Sequence, residues 1–303
     1  MELEFKPVVA GDIDRLRPFY GMRPNKTCDS VFLDSFLWKD YYHVQCAVSE
    51  GRAVLWLMEK DGQVSTAMPL CREEDLPYFF QQMVDYFSEV LHKPFYISLA
   101  DEEAVQYLNL DPALFEVEEQ VDLKDYLYSG EELRKLEGKK FVKKRNHLNG
   151  FKRMYEGRYE YRRLCCSDRH EVWQFMERWR QHREEVGAME LSLDYEVAGI
   201  HDILKNCSNL YVRMAGVYID GQLEAFTIGS LNVRENMAVI HIEKANPEIR
   251  GLYQFINQQF LINEFPEAEL VNREDDVGME GLRKAKMSYY PIGFARKYMV
   301  RER

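Results

Sequence analysis

Apolar positions recur with helical and strand periodicity along the whole chain. The clearest helix spans residues 76–91, where apolar side chains return every three or four positions. Strand-like runs meet at two Asp-Gly turns, Asp61-Gly62 and Asp220-Gly221. Such turns are typical of β-hairpins because both residues accept a positive φ. The pattern therefore predicts an α+β protein with a hairpin in each half.

The order of the predicted elements repeats along the chain. Each half has helices, a hairpin over Asp-Gly-Gln, a long amphipathic helix and a further strand. The second half is predicted as strands and helices at 210–219, 223–231, 237–243, 247–263, 268–272, 279–289 and 292–299. The repeat predicts two α+β lobes, residues 1–125 and 126–303. Because no Pro/Gly/Ser-rich linker separates the halves, we expect the lobes to pack closely.

Composition restricts the class of protein. The 303 residues are 46% hydrophobic, so the chain can bury a substantial core. No apolar run approaches the ~20 residues of a transmembrane helix. The start of the chain has no signal-peptide pattern. The six cysteines form no Cys-x-x-Cys pair, and we expect reduced thiols in a cytoplasmic protein.

Several common catalytic motifs are missing from the sequence. It has no Gly-x-Ser-x-Gly, no Walker-type Gly-x-x-x-x-Gly-Lys, no Gly-x-Gly-x-x-Gly and no His-Glu-x-x-His. Its seven histidines show no spacing typical of metal ligands. A serine hydrolase, a P-loop enzyme, a dinucleotide-dependent oxidoreductase and a metal enzyme are therefore not expected.

Positive charge is concentrated in one segment. Residues 139–163 contain ten Lys or Arg and two acidic residues, a local charge of +8 in a chain of net charge −11. The remainder therefore carries −19. Clustered cations neutralise phosphates, so this segment is predicted to bind a polyanionic carrier such as RNA. A solvated helix face is the alternative. The candidate contacts are Lys140, Lys143, Lys144, Arg145, Asn146, Lys152 and Arg153.

A second candidate lies where the strand ending at Glu243 runs through a loop into a helix. Arg250 and Gly251 fall in the predicted first turn of that helix. A helix N-terminus offers free N–H groups to a phosphate, and a glycine lets the phosphate approach. An ordinary helix cap is the alternative.

The third candidate is the polar end of the strand at 268–272. Asn272, Arg273, Glu274 and Asp275 follow the apolar part of this strand. The carboxyl end of a strand is where α/β folds bind ligands, and carboxylates there can accept a proton from an attacking amine. Helix capping is the alternative for Asp275. Further candidate cations in the next helix are Arg283, Lys284 and Lys286.

These three segments resemble one bacterial family, which is related to the C-terminal domain of phosphatidylglycerol lysyltransferases. The resemblance covers nearly the whole chain and includes Lys-Lys-Arg-Asn at 143–146 and Asn-Arg-Glu-Asp at 272–275. It implies two tandem GNAT-like acyltransferase lobes, each a mixed, mostly antiparallel sheet flanked by helices. Residues 126–303 would then contain a basic connecting helix and the active crevice. The Lys-Lys-Arg-Asn element is also similar to one in peptidoglycan-bridge aminoacyltransferases.

The resemblance implies an acyl- or aminoacyltransferase. Its donor would be aminoacyl-tRNA or acyl-CoA, and its acceptor a small molecule or a lipid headgroup. Glu243, Glu274 and Asp275 are the candidate proton acceptors. Two alternatives remain open, an acyl-CoA-dependent N-acyltransferase and a non-catalytic protein that binds RNA or a nucleotide.

Overall fold

The computed structural model describes residues 3–185 and 193–303, which form three mostly antiparallel sheets with helices packed on them. The elements of the first half are β1 (Lys6–Pro7), α1 (Ile13–Tyr20), α2 (Phe32–Leu37), β2 (Gln45–Ser49), β3 (Ala53–Lys60), β4 (Gln63–Ser65), α3 (Leu76–Asp85), β5 (Tyr96–Asp101), α4 (Glu102–Leu108) and β6 (Phe115–Glu119). Those of the second half are β7 (Asp125–Ser129), α5 (Gly130–Lys135), α6 (Val142–Met154), β8 (Tyr159–Arg163), α7 (Arg169–Glu185), α8 (Leu193–Asn206), β9 (Arg213–Ile219), β10 (Gln222–Asn232), β11 (Met237–Ala245), α9 (Leu252–Glu264), β12 (Leu270–Asn272), α10 (Glu280–Met287), β13 (Gly293–Ala295) and β14 (Lys297–Glu302).

The second lobe is built on a seven-stranded sheet in the order β13-β7-β12-β11-β10-β9-β8. Within it β11 and β12 are parallel, and every other pair of neighbours is antiparallel. The β9–β10 hairpin turns at Asp220-Gly221 with a positive φ at both residues, as predicted. The parallel pair matters for the site because β12 ends at Asn272 opposite Val239, so the residues that follow β12 lie beside the second half of β11.

One strand of the first lobe, β14, comes from the C-terminal part of the sequence. Strands β1 to β4 form one sheet, and β14 lies between β5 and β6 in another. A parallel bridge between Thr66 and Ile97 connects the two. The prediction of one strand over 292–299 is therefore wrong. Residues 293–295 pair with β7 and residues 297–302 pair with β5 and β6, so neighbouring segments enter different sheets. The lobe boundaries 1–125 and 126–303 stay a prediction.

The two lobes share one hydrophobic core. Leu16, Phe32 and Val54 of the first lobe belong to the same buried cluster as Phe175 and Phe226 of the second. Helices α2 and α8 approach closely at Gly199, where a Cβ atom would lie 2.2 Å from the Leu37 carbonyl oxygen. This close contact agrees with the absence of a linker in the sequence.

Some local predictions differ from the structure. The sequence pattern predicts a helix at 30–41, whereas α2 ends at Leu37. It also predicts a strand at 63–70, whereas β4 ends at Ser65 and Leu70 forms only a bridge to Val54. Cys166 and Cys207 form a disulfide, so the expectation of reduced thiols is wrong for these two. Folding brings together cysteines 41 residues apart, which spacing alone did not indicate.

A buried ion pair joins the seven-stranded sheet to the sheet that contains β14. Lys297 of β14, 1% exposed, lies with its Nζ 2.8 Å from Oδ1 of Asp125 at the start of β7. The other oxygen of Asp125 accepts hydrogen bonds from the Cys28 backbone N–H and the Asn272 side chain. Burial alone would lower the pKa of Lys297, but Asp125 and then Cys28 more than offset this, so its pKa lies well above the ordinary value.

We expect Lys297→Met to lower the free energy of unfolding by about 3–5 kcal/mol, because it leaves the Asp125 carboxylate buried without its cation. Arg301→Met is the matched control on the same strand, since Arg301 pairs with Glu116 at the surface and such pairs contribute at most about 1 kcal/mol. Urea unfolding measures both. Equal losses for the two variants would contradict a special role for the buried pair.

Candidate active site

The polar end of β12 is fixed against the first lobe. The Asn272 side-chain amide donates to the Lys26 carbonyl at 2.8 Å and to Asp125 at 3.0 Å. Its Oδ1 accepts from the Glu274 backbone N–H at 2.7 Å. Glu274 has φ 57°, a left-handed conformation that is costly for a residue with a side chain. Asn272 is therefore a structural anchor that holds the next residues in a strained turn.

Glu274 is the end of a buried hydrogen-bond chain. Its Oε1 lies 2.9 Å from Nδ1 of His241, and Nε2 of that ring lies 2.8 Å from the Ser230 hydroxyl. Ser230 and His241 are both buried. The chain fixes the orientation of the Glu274 carboxylate. Sequence reasoning noted His241 only as a histidine without metal-ligand spacing. A β-bulge at His241, between Ile240 and Ile242, breaks the alternation of β11 there, so spacing from Glu243 could not show which way the ring points.

Glu243 and Arg273 form a second, separate pair. Arg273 Nη2 donates to Glu243 Oε1 at 2.9 Å, and the Asn257 amide donates to Oε2 at 2.8 Å. The Arg273 guanidinium lies 4.8 Å from the centre of the Tyr289 ring. Its Nη1 is buried and has no hydrogen-bond acceptor among the described residues. Arg273 therefore has a donor left over for a ligand, whereas both Glu243 oxygens are occupied.

Asp275 is the carboxyl group with an unusual pKa. Burial, only partly offset by Lys297, raises its pKa to about 7. Lys286 donates its ammonium protons to the backbone carbonyls of Arg273 and Asp275, and burial lowers the Lys286 pKa. Lys286 is thus a positioning group beneath the turn. Asp275 remains able to gain or lose a proton near neutral pH.

Arg283 and Lys284 are engaged within their own helix region. Arg283 donates twice to Asp276 at 2.9 Å and once to Asp122 at 2.7 Å. Hydrogen bonds, that from Arg283 above all, lower the pKa of Asp276 to about 2. Lys284 pairs with Glu280 at the surface. The structure gives these cations local partners, and their predicted contact with a carrier stays a prediction.

The basic segment is divided between two faces of α6. Lys144 points inward, with Nζ 2.6 Å from the Ser288 hydroxyl and 3.7 Å from the Tyr289 ring centre. Burial and then the charge of Arg273 lower the pKa of Lys144 to about 8. Arg145 donates to the Leu136 and Gly138 carbonyls and so closes the end of α5. These two cations therefore belong to the protein interior and its caps.

The outward face of α6 is open. Lys143, Asn146 and Arg153 are exposed. Arg250, just before the start of α9, is exposed as well. In the described part of the chain none of these three cations forms an ion pair. Lys140 differs, because it pairs with Glu132 at 2.7 Å, and Lys152 lies against the Phe255 ring.

Gly251 is needed by the protein's own backbone. It has φ 89°, and a Cβ atom there would lie 2.3 Å from the His147 carbonyl oxygen of α6. Burial lowers the pKa of His147, and the positive charges of Arg250 and Lys144 lower it further. The turn is therefore electropositive, but the space beside its glycine is filled by α6. Phosphate binding at Arg250-Gly251 stays a prediction.

A cavity of about 90 Å³ lies beside Glu274 on the first-lobe side. Residues between 23 and 101 line it, whereas the sequence predicts the crevice in the second lobe. Carboxylate oxygens of Asp34 and Glu274 and the Cys28 sulfur lie within 4.8 Å of one another. The strand end thus meets a first-lobe cavity that no motif in residues 1–120 indicated.

Comparisons with known proteins identify the family and the fold of the chain. Residues 23–301 match the family described as phosphatidylglycerol lysyltransferase, C-terminal. The chain belongs to this family. A conserved protein of unknown function from Bacteroides thetaiotaomicron is 27% identical, with a TM-score of 0.90 over the whole of both chains. The L-PGS structure from Bacillus licheniformis is 15% identical, with a TM-score of 0.69 over 99% of this chain and 93% of that one.

Two further matches concern the fold and the length of the relatives. A tandem GNAT protein from the clavulanic acid biosynthesis pathway is 10% identical, with a TM-score of 0.50 over 99% of this chain and 98% of that one, and the predicted GNAT-like fold is confirmed. An uncharacterised protein of Mycoplasmoides gallisepticum is 28% identical over 178 residues, 58% of this chain. The matched region spans 56% of that relative. Among the residues that the structure describes, no helix has the length and apolar character needed to span a bilayer.

Gly251→Ala tests how tightly α6 packs on α9. We expect a loss of at least about 2 kcal/mol of unfolding free energy, because the new methyl group meets the His147 carbonyl and the residue is strained at positive φ. Gly157→Ala is the control, since Gly157 also has a positive φ (71°) but open space around it. Thermal and urea unfolding compare the two, and a loss no larger than that of the control would show that the contact is not restrictive.

Proposed function

We propose that this protein is an aminoacyltransferase that moves an aminoacyl group from an ester-linked carrier, aminoacyl-tRNA, to an amine or hydroxyl acceptor. Membership of the lysyltransferase C-terminal family supports this class of reaction. The single observation that carries the assignment of the site is the turn after β12. It combines a carboxyl group of pKa about 7 with an arginine that has an unused, buried donor.

The two sides of the strand end have different characters. Arg273 faces Lys144 and Tyr289 on the second-lobe side, next to the basic face of α6. Glu274 lies on the other side, with a carboxylate oxygen within 4.8 Å of Asp34, which lines the first-lobe cavity. A polyanionic carrier would therefore lie along α6 with its ester carbonyl near Arg273, and the acceptor would approach from the cavity.

The chemistry required of the protein is modest. An ester-linked aminoacyl group is already activated, so positioning and one proton acceptor are sufficient. Asp275 would take the proton from the attacking group, and Glu274 would orient it. Arg273 and Lys144 would stabilise the negative charge that develops on the carbonyl oxygen.

The two alternatives from the sequence are less well supported. An acyl-CoA pyrophosphate at Arg250-Gly251 would need room beside the glycine, and the His147 carbonyl takes that room. A protein that only binds RNA or a nucleotide would have no use for a carboxyl group with a raised pKa. Family membership also favours transfer over binding alone.

The pKa of Asp275 predicts how transfer depends on pH. As a base it must be ionised, so kcat/KM should rise with pH up to about 7 and then level off. Asp275→Asn should reduce turnover by about 100-fold or more and remove this limb. Asn keeps the Oδ1 acceptor for the Val277 N–H, so the turn should persist. A full pH profile of formed product tests this.

Unfolding supplies an independent readout for the same variant. The pKa of Asp275 is raised from 3.8 to about 7 in the folded protein. Above pH 7 the folded state therefore contains a buried, ionised carboxylate, which lowers the free energy of unfolding; below pH 4 the group is protonated in both states and this loss is absent. The wild type should therefore lose stability relative to Asp275→Asn between pH 4 and pH 8. Wild-type turnover in Asp275→Asn, with this change in stability present, would leave Asp275 buried but not catalytic.

The outward face of α6 predicts carrier binding. Lys143→Glu should weaken binding of tRNA by about tenfold or more at low salt and make the salt dependence shallower, because a phosphate contact is lost. Lys93→Glu is the control, with the same charge change at an exposed position of the first lobe. Filter binding over a salt series measures both, and equal effects would argue that α6 is only a solvated helix face.

A further inference from the structure

The first-lobe cavity has apolar walls and an acidic end. Trp38, Tyr42, Trp56 and Leu70 are among the residues that form the walls. Asp29, Asp34 and Asp101 also line the cavity. This combination is typical of sites that hold an alkyl chain with a charged end.

The three carboxyl groups are not equivalent. Asp101 is paired with Arg23 through two hydrogen bonds of 2.6 Å. Asp34 is only 7% exposed, and no N–H group or cation of the described residues forms a hydrogen bond or ion pair with its carboxylate. The nearby cation is Lys297, whose Nζ lies 3.8 Å from Oδ2 of Asp29 and whose charge partly offsets the rise in the pKa of Asp34. The hydrogen-bond partner of Asp34 is Asp29, another acid. Burial first, and then the charges of Asp29 and Glu274, raise the pKa of Asp34 well above its usual value. Adjacent buried carboxyl groups are stable only if they share a proton or meet a cation.

The surroundings favour an organic cation over a metal ion. Cys28, Asp34 and Glu274 are close enough to ligate one ion. However, Lys297 Nζ lies 3.1 Å from the Cys28 sulfur and 3.8 Å from Oδ2 of Asp29. Its ammonium group repels a second cation on the thiol side of the cluster, so Asp34 is the carboxyl group that an added cation can approach. Aromatic walls interact well with an alkylammonium group, through cation–π attraction and burial of its methylenes.

We propose that this cavity binds the acceptor, a primary alkylamine, with its nitrogen against Asp34 and Asp29 and its methylene chain among the aromatic walls. The position carries the assignment, since Asp34 lies beside Glu274 at the end of β12, opposite Arg273 and the basic face of α6. The inference rests on the proposed function for the reaction, but the binding of amines does not depend on it.

The reaction that follows is balanced by the groups already described. The ammonium group gives one proton to the acidic cluster, and its nitrogen attacks the ester carbonyl carbon of the donor. The C–O bond to the carrier breaks and a C–N bond forms. The second proton passes through Asp275 to the leaving oxygen. The products are an amide and the carrier with a free hydroxyl group.

Calorimetry with n-butylamine, and with n-butanol as an uncharged molecule of similar length, tests the binding step. We expect saturable binding of the amine and little of the alcohol. Asp34→Asn should weaken amine binding by about tenfold or more, as expected when a charge-assisted contact is lost. Asp40→Asn is the matched control, because Asp40 is a nearby surface residue paired with Lys39. Equal binding of amine and alcohol, or of the two variants, would overturn the proposal.

Folding of the variant is not expected to interfere. Asp34 forms no direct ion pair among the described residues, and its ionised form is disfavoured by burial and by neighbouring carboxylates, so Asp34→Asn should unfold at or above the wild-type temperature. If it fails to fold, Asp29→Asn, at a partly exposed position, replaces it with the same expected loss of amine binding. Saturable binding of Zn²⁺ that is lost in Cys28→Ser would instead assign the cluster to a metal and overturn the inference.

A transfer assay separates the two possible sources of the bound amine. With aminoacyl-tRNA as donor, conversion of n-butylamine to the amide supports its role as acceptor. Inhibition of transfer to another acceptor, without formation of the amide, would assign the cavity to the amine of the donor's amino acid and contradict the proposal. Transfer to a hydroxyl acceptor without any amine binding would sink the cavity assignment while the proposed function stands. No transfer with any acceptor, but amine binding lost in Asp34→Asn, would sink the proposed function and with it the acceptor role.

Discussion

The Lys297–Asp125 ion pair is the contact on which the arrangement of the site depends. A buried carboxylate is tolerated only when cations and hydrogen-bond donors surround it. Asp125 has Lys297 on one side and the Cys28 N–H and the Asn272 amide on the other. The same Asn272 orients the Glu274 backbone. The pair therefore fixes the end of β12, the first-lobe loop and β14 relative to one another. Catalytic geometry and the junction of the lobes have one structural origin.

The sequence predicts elements well where the signal is local. The helix at 76–91 and the two Asp-Gly hairpins follow from periodicity and turn chemistry. The structure contains both hairpins, and residues 76–91 are helical throughout, as α3 followed by a π-helix at Tyr86–Leu91. The last strand could not be predicted, because its division into β13 and β14 is decided by distant partners in two sheets. The disulfide between Cys166 and Cys207 is another long-range fact. Local patterns contain no information on such pairings.

Some residues of the candidate site could likewise be predicted from the sequence and others could not. Polar residues at the end of a strand are unusual, and this feature alone directed attention to Arg273, Glu274 and Asp275. Charge density indicated α6, but not that Lys144 and Arg145 turn inward while Lys143 faces solvent. His241 and Asp34 were missed because each is a single polar residue in an apolar stretch. The pairing of β11 with β12 brings His241 to Glu274, and the packing of the lobes brings Asp34 there.

The position of β14 between β5 and β6 affects the order in which this protein can fold during synthesis. Strand β14 lies between β5 and β6, so this part of the first lobe lacks its middle strand until residues 297–302 have been translated. Domains usually fold in order as they leave the ribosome. Here β5 and β6 emerge early, with edges that could pair with other chains, and must wait for nearly the whole of the second lobe. The sheet of β5, β14 and β6 therefore cannot be completed until β14 has been synthesised, after the strands of the second lobe.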